Sequence, residues 1–133
     1  MKDEKLVEAL YAKVLTAGGS IDAGNEILAD DWASIGGYDG SKKDRAAFLK
    51  QVAGFMDRIP DLAWRVEEVI ASGDRYVVRS RATGTPRGAF FGVPPSGKKF
   101  EIMTIDIHTV RGGRIAQTFH VEDWAGALAQ LRA

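Results

Sequence analysis

Apolar positions follow a helical period in the N-terminal half of the chain and a strand period in the C-terminal half. Spacings of three and four residues predict a first helix over 3–17, with an apolar face formed by Leu6, Val7, Leu10, Val14 and Leu15. Asp22 is placed to cap a short second helix. Ser41 and Asp44 resemble a capping box before a third amphipathic helix, which we expect to end before Pro60.

The C-terminal half alternates apolar and polar positions, as strands do. Two predicted hairpins turn at Ser72-Gly73-Asp74 and at Gly112-Gly113, and the last residues, WAGALAQLRA, are typical of a short helix. The segment DDWASI before the third helix reads as a further short strand or an extended turn. Helices followed by a four-stranded meander indicate an α+β fold, with helices on one face of a sheet of four or more strands. We expect a single domain over 1–133.

Composition fits one folded domain and removes several classes of function. A hydrophobic content of 45% in 133 residues is enough for a core. Eighteen basic and eighteen acidic residues cancel, so we expect neither nucleic acid nor an anionic membrane as a partner. The chain has no cysteine, no apolar stretch of membrane-spanning length and no signal-peptide pattern at its start. These features suit a cytoplasmic protein.

Ionisable and aromatic side chains cluster in TFHVEDW, at the end of the last predicted strand. Strand alternation puts Gln117, Phe119 and Asp123 on one face and His120 and Glu122 on the other. A carboxylate at the end of an apolar row that faces a cavity would have a raised pKa and suit a general base. Asp123 also directly precedes the last helix, and the local pattern favours a helix cap there. Glu122 is expected in solvent, and His120 to join the pocket only if a bulge precedes Asp123.

His108 and His120 are the two histidines of the chain and its further candidate catalytic residues. An iron site would require both to converge with Asp106 or Asp123, which strand alternation opposes, so we predict no metal site. The aromatic residues of the core are also expected to line an apolar pocket between the sheet and the first and third helices. The candidate ligand-binding residues are Trp32, Phe55, Trp64, Asp106, Gln117 and Phe119.

The pattern resembles the SnoaL-like polyketide cyclase, or ester cyclase, family of the nuclear-transport-factor-2-like superfamily. The similarity is most specific over 100–131: a strand aspartate, a Gly-rich turn with a basic residue and isoleucine, an aromatic position, and an aspartate before a short helix. Here these are Asp106, Gly113-Arg114-Ile115, Phe119, Asp123 and, in the helix, Gln130-Leu131. The stretch FFGVPPSGKKFEI is also similar to the loop before the family's third long strand.

The resemblance implies a cone-shaped α+β barrel around an apolar pocket that is open at one end. It implies cofactor-free intramolecular aldol cyclisation of a hydrophobic ketone-ester substrate, with Asp123 as acid/base and His108 assisting. A non-catalytic protein that binds a hydrophobic metabolite, or a hydrolase or isomerase on the same fold, remains an alternative. A homodimer, or a dimer of dimers, is also implied, with Val77, Val78 and Arg79 as candidate contributors.

Overall fold

The computed structural model describes residues 2–133, in which N-terminal helices precede a six-stranded sheet and a last helix closes the chain. The elements are α1 Lys2–Leu10, continued by a π-helical segment Tyr11–Leu15, α2 Ile21–Ile27, β1 Leu28–Ile35, β2 Lys43–Asp44, α3 Arg45–Arg58, β3 Ala63–Ser72, β4 Arg75–Gly84, β5 Phe100–Arg111, β6 Arg114–Glu122 and α4 Trp124–Arg132. The expected α+β fold class is confirmed. No helix within 2–133 has the length and apolarity needed to cross a bilayer.

The sheet is mostly antiparallel and has the strand order β2-β1-β6-β5-β4-β3. Both predicted hairpins form. Gly112 and Gly113 have φ of +58° and +76°, the left-handed pair that a two-residue turn between twisted strands requires. β1 pairs with β6 in parallel, a long-range pairing that the local pattern does not indicate, and β2 is a two-residue edge strand.

The caps of α2 and α3 differ from the predicted ones by a few residues. Ser20, with extended backbone, caps α2 through its side chain, while Asp22 lies inside the first turn. Asp44 caps α3, and the Ser41 hydroxyl instead donates to Asp39 at 2.7 Å. A cap needs a non-helical backbone directly before the helix, and Ser20 and Asp44 are the residues in that position.

A β-bulge in β6 sets which side chains face the helices. Arg111 pairs with Arg114 and Val110 with Ile115, but Thr109 pairs with Gln117, so Ala116 has no partner on β5. The extra residue reverses the alternation of every following position of β6. From Thr118 onward the even-numbered positions of β6 therefore pair with the even-numbered positions of β5.

Buried apolar side chains form two clusters on the inner face of the sheet. The first surrounds α1, α2 and Trp32, and the second surrounds Ile59, Phe90, Phe100 and the inner side of α4. Residues packed in both clusters also line a cavity in this face. The helices thus cover the sheet incompletely and leave room for a ligand.

Candidate active site

A cavity of about 400 Å³ opens on the inner face of the sheet. This volume lies within the range of small-molecule sites. Its wall is mostly apolar and includes Leu10, Leu15, Trp32, Phe48, Val52, Phe55, Trp64, Phe91 and Trp124. Its polar side is formed by residues of four strands and one helix, among them Ser34, Lys43, Gln51, Asp106, His108, Thr118, His120 and Glu122.

The pairing of β5 with β6 brings the polar groups together. Asp106 pairs directly with His120, and His108 with Thr118. Glu122 is opposite Thr104 in the same row. Directly opposed residues have Cβ atoms about 5 Å apart, so these side chains project into one space. The bulge at Ala116 is what turns His120 and Glu122 inward, which is the condition under which His120 was expected to join the pocket.

Asp106 is a buried carboxyl group with one oxygen open to the cavity. Its Oδ2 accepts a hydrogen bond from the Tyr11 hydroxyl at 2.5 Å. Within residues 2–133, the other oxygen, Oδ1, has no hydrogen-bond partner. No fully buried side-chain oxygen or nitrogen in these residues lacks a partner, so Oδ1 must be accessible from the cavity that Asp106 lines. Burial raises the pKa of Asp106 from 3.8 to about 7, against the opposing effect of the Tyr11 hydrogen bond. Near neutral pH the carboxyl group is therefore poised between its two forms.

His120 and Glu122 form a hydrogen-bonded pair beside Asp106. The Nδ1 atom of His120 is 2.6 Å from Oε2 of Glu122, and the Trp124 indole N–H donates to the other Glu122 oxygen at 3.3 Å. The hydrogen bond to Glu122 raises the pKa of His120, with burial acting in the opposite direction. Only 13% of the Glu122 side chain is exposed, so the expectation that Glu122 is solvated is wrong. The bulge turned it into the cavity instead.

The position of His120 depends on a glycine in the cavity wall. A Cβ atom on Gly36 would come within 2.9 Å of both Cε1 and Nε2 of His120. Contacts this short do not occur between carbon atoms of side chains, so the imidazole occupies space that only glycine leaves open. Nε2 makes no hydrogen bond within residues 2–133 and is the free end of the ring.

His108 is held between two hydroxyl groups. Its Nε2 lies 2.7 Å from the Tyr11 hydroxyl and its Nδ1 lies 2.8 Å from Thr118 Oγ1. The indole N–H of Trp32 donates to the same Thr118 oxygen at 3.0 Å. Burial lowers the pKa of His108 to about 3, so the ring is neutral. With both nitrogens engaged, His108 has no free N–H for a substrate enolate, the direct role that the sequence suggested.

Three of the predicted site residues lie outside the cavity. Asp123 is exposed and caps α4, its Oδ1 accepting the backbone N–H of Gly126 at 2.9 Å. Phe119 pairs with Ile107 on the outer face of the sheet and is 37% exposed, and Gln117 does not line the cavity. The prediction that Asp123 and Phe119 face the cavity is wrong, because the bulge turns their row of side chains outward.

The structure brings Trp32, Phe55 and Trp64 into the cavity wall together with Asp106. Tyr11 is not part of that wall but hydrogen-bonds Asp106 and His108, and it was not identified from the sequence. Tyr11 follows Val7 by four residues on the apolar face of the first helix, and a buried tyrosine hydroxyl requires a polar partner. That requirement was the available signal for a polar group beneath the helix.

The ionisable side chains are arranged for proton transfer. Within residues 2–133, no three His, Asp or Glu side chains are placed to hold a metal ion. The available groups are a carboxyl oxygen and an imidazole nitrogen, both open to an apolar cavity. Such a pair can remove one proton from a bound molecule and deliver another to it.

Comparisons with known proteins identify the family and the fold of the chain. A family model described as SnoaL-like polyketide cyclase matches residues 5–131. The chain is similar to the structure of IdmH, a candidate polyketide cyclase from Streptomyces antibioticus, at 27% identity over 100% of both chains, with a TM-score of 0.87. It is also similar to a candidate SnoaL-like polyketide cyclase from Jannaschia Sp. CCS1, at 25% identity over 99% of this chain and 92% of that one, with a TM-score of 0.86.

The fold itself extends to a protein assigned a different activity. AclR from Streptomyces galilaeus, a candidate hydroxylase, has 20% identity over 98% of this chain and 85% of its own, with a TM-score of 0.85. At this identity the likeness is one of fold alone. No functionally curated protein matches the chain in sequence. The family model covers nearly the whole chain, and the chain therefore belongs to the SnoaL-like polyketide cyclase family.

Proposed function

We propose that this protein is a cofactor-free cyclase in which Asp106 is the general base and His120 the general acid of an intramolecular aldol reaction. The observation that carries the proposal is the direct pairing of Asp106 and His120 across β5 and β6, inside an apolar cavity. The substrate is a hydrophobic small molecule with a ketone and an ester, and no metal or redox cofactor takes part.

The reaction needs one proton removed and one delivered. Oδ1 of Asp106 takes a proton from the carbon between two carbonyl groups, where a carboxylate with a raised pKa is basic enough. The enolate carbon then attacks a ketone carbon of the same molecule and forms the new C–C bond. His120, protonated through its pairing with Glu122, delivers the Nε2 proton to the ketone oxygen as negative charge develops there. Proton exchange between the two side chains and solvent restores the starting forms.

The apolar wall supplies the rest of the rate. A cavity of about 400 Å³ holds the flexible substrate folded, which converts ring closure into a reaction of adjacent groups. Phe55 and Trp124, which pack edge to face with ring centroids 5.8 Å apart, form part of this apolar wall.

A non-catalytic binding protein would need only the apolar part of this cavity. Burying Asp106 and the pair His120–Glu122 costs free energy that a binding role would not repay. A hydrolase or isomerase would use the same pair, with water or a second position on the substrate as the acceptor. The products of the reaction separate these alternatives from the cyclase.

The test follows proton removal and ring closure separately. An aromatic β-keto ester that cannot cyclise is incubated in deuterium oxide, and loss of its acidic C–H is followed by NMR. A ketone-bearing analogue reports ring closure by absorbance. Asp106→Asn should slow both reactions by about a hundredfold or more, and His120→Gln should slow ring closure more than exchange.

Asp123 is the competing base, because the family resemblance assigns it that role. Asp123→Asn is the matched control: it makes the same chemical change on the exposed cap and keeps the cap, since asparagine also caps helices. Near-normal exchange by Asp123→Asn with loss in Asp106→Asn supports the proposal. The opposite pattern would assign the chemistry to Asp123.

We further propose a homodimer that forms through the outer face of the sheet. This face carries an apolar patch across β5 and β6 that includes Met103, Ile105, Phe119 and Val121, each between 37% and 70% exposed. Val77 and Arg79 of β4 border it, whereas Val78 is fully buried and is removed from the contributors. Val121→Glu should give a monomer by light scattering at micromolar concentration where the unmodified protein is a dimer. A monomeric unmodified protein would refute the proposal.

A further inference from the structure

Five buried side chains form one unbroken line of hydrogen bonds along one wall of the cavity. The line runs from Trp32 on β1 through Thr118 on β6, His108 on β5 and Tyr11 of the π-helical segment to Asp106 on β5. The four donor–acceptor distances are 3.0, 2.8, 2.7 and 2.5 Å. Three of its members, Thr118, His108 and Tyr11, have groups that both donate and accept, so the line has two possible directions.

Trp32 acts in one sense only, and so does Asp106 once it is ionised, because a carboxylate only accepts. The indole N–H of Trp32 donates to Thr118 Oγ1 and cannot accept. Within residues 2–133, the Thr118 hydroxyl has no partner other than Trp32 and His108. With one bond already accepted from Trp32, the remaining choice is whether Thr118 donates to His108 Nδ1 or accepts from it.

The two directions differ in how many donors find an acceptor. In the first, Thr118 donates to Nδ1, His108 donates from Nε2 to Tyr11, and Tyr11 donates to Asp106, so every proton is bonded. In the second, His108 carries its proton on Nδ1 and donates to Thr118, and the Thr118 hydroxyl proton has no acceptor. A buried donor without a partner disfavours the second direction by a factor of about ten or more.

We propose that Trp32 and Thr118 are positioning residues that hold His108 as its Nε2–H tautomer and so keep the Tyr11 hydroxyl directed onto Asp106 even when the carboxyl group carries a proton. The inference deepens the proposed function, because a Tyr11 hydroxyl fixed on Oδ2 leaves Oδ1 as the oxygen that takes the substrate proton. His108 thus acts through Tyr11 rather than on the substrate. Trp32 thus has a second role in addition to lining the cavity, which is the role predicted from the sequence.

Several titratable groups surround Asp106 and share in its protonation. Tyr11 and His108 face it from the hydrogen-bonded side, and His120 and Glu122 act on it from β6. The Tyr11 bond opposes the effect of burial on the pKa of Asp106. If the hydrogen bonds of the line no longer run in one direction, the bond from Tyr11 to Asp106 is weakened. The Asp106 carboxyl group should then titrate at higher pH in Trp32→Phe than in the unmodified protein.

The experiment reads the tautomer directly and needs no substrate. The ¹⁵N chemical shifts of the His108 ring are measured in the full-length protein at about pH 5, where the ring is neutral and Asp106 is protonated, so that the carboxyl group does not itself fix the direction. The unmodified protein should show a protonated Nε2 and an unprotonated Nδ1. Trp32→Phe keeps an aromatic ring but lacks the N–H, and a water molecule from the cavity can take the place of the N–H and accept the Thr118 hydroxyl proton. The second direction then leaves no donor unpaired, so the ratio of the two tautomers should fall by about tenfold, moving both shifts toward intermediate values.

Matched variants separate direction from packing. Trp64→Phe removes another indole N–H of the cavity wall, one that donates to Ser80 and Thr104 outside the line, and should leave the His108 shifts unchanged. Thr118→Ser keeps the hydroxyl and should keep the tautomer. The Asp106 carboxyl carbon, followed by ¹³C NMR, should titrate at higher pH in Trp32→Phe.

Two results would overturn the inference, and neither depends on turnover. One is an unmodified protein with the proton on Nδ1, which is measurable even if a variant fails to fold. The other is a Trp32→Phe protein with unaltered ring shifts. A correct tautomer combined with full exchange activity in Asp106→Asn would instead refute the proposed function and leave the hydrogen-bond line intact.

Discussion

Asp106→Asn should make the protein more stable in alkaline solution while it removes the proposed base. Burial raises the pKa of Asp106 from 3.8 to about 7 in the folded protein. Because the folded-state value lies above the unfolded one, the favourable contribution of Asp106 is complete below about pH 4 and is lost as the pH rises through about 7. The difference corresponds to about 4 kcal/mol of unfolding free energy above neutral pH.

Asparagine avoids this cost because it does not ionise. Its carbonyl oxygen can still accept from Tyr11, and its amide group can point into the cavity as Oδ1 does. We expect Asp106→Asn to exceed the unmodified protein by about 2–4 kcal/mol in urea denaturation at about pH 8.5, and to match it near pH 4. The unmodified enzyme should gain activity as the pH rises through about 7, as the base ionises.

The control is the same substitution at an exposed carboxylate. Asp123→Asn should stay within about 0.5 kcal/mol of the unmodified protein at both pH values, since asparagine also caps helices. A stability difference for Asp106→Asn that does not change between the two pH values would refute the reasoning. So would a net loss of stability at about pH 8.5.

Two further substitutions test the cavity wall. Gly36→Ala places a methyl group 2.9 Å from the His120 ring and should lower the rate of ring closure about tenfold or more, because it displaces the imidazole. The control is Gly37→Ala, which has open space around it and should keep the rate. Equal rates for the two variants would contradict the role of Gly36. Phe91 lines the cavity and has a strained φ of +48°. Phe91→Gly should keep the melting temperature, because relief of the backbone strain offsets the lost ring contacts. Its affinity for an apolar fluorescent ligand should fall about tenfold, because the ring no longer lines the cavity. A variant that loses stability but not affinity would show that Phe91 is structural.

The fold was predictable because its main signals are local. Helical spacing in the first half and Gly112-Gly113 between alternating runs each involve neighbouring residues, and each formed as expected. The parallel pairing of β1 with β6 and the two-residue strand β2 join segments far apart in the chain. Helix caps shifted by a few residues because several polar residues could serve and packing chose among them.

The site was predictable in its composition but not in its orientation. Alternation correctly separated the row of His120 and Glu122 from the row of Phe119 and Asp123. Which row faces inward depends on register, and a regular hairpin from the turn at Gly112-Gly113 would have put Phe119 opposite Asp106. One unpaired residue, Ala116, reversed the answer.

The bulge works against the simplest burial of apolar surface. Without it, Phe119 and Val121 would face the core and the charged pair would face water, which is the cheaper arrangement for an isolated chain. The protein instead leaves Val121 70% exposed and buries His120 with Glu122. Local preferences that a fold violates are usually violated where function requires it. The bulge at Ala116 places His120 beside Asp106 and also turns Phe119 and Val121 outward, so one bulge would supply both the proposed acid–base pair and the proposed dimer surface.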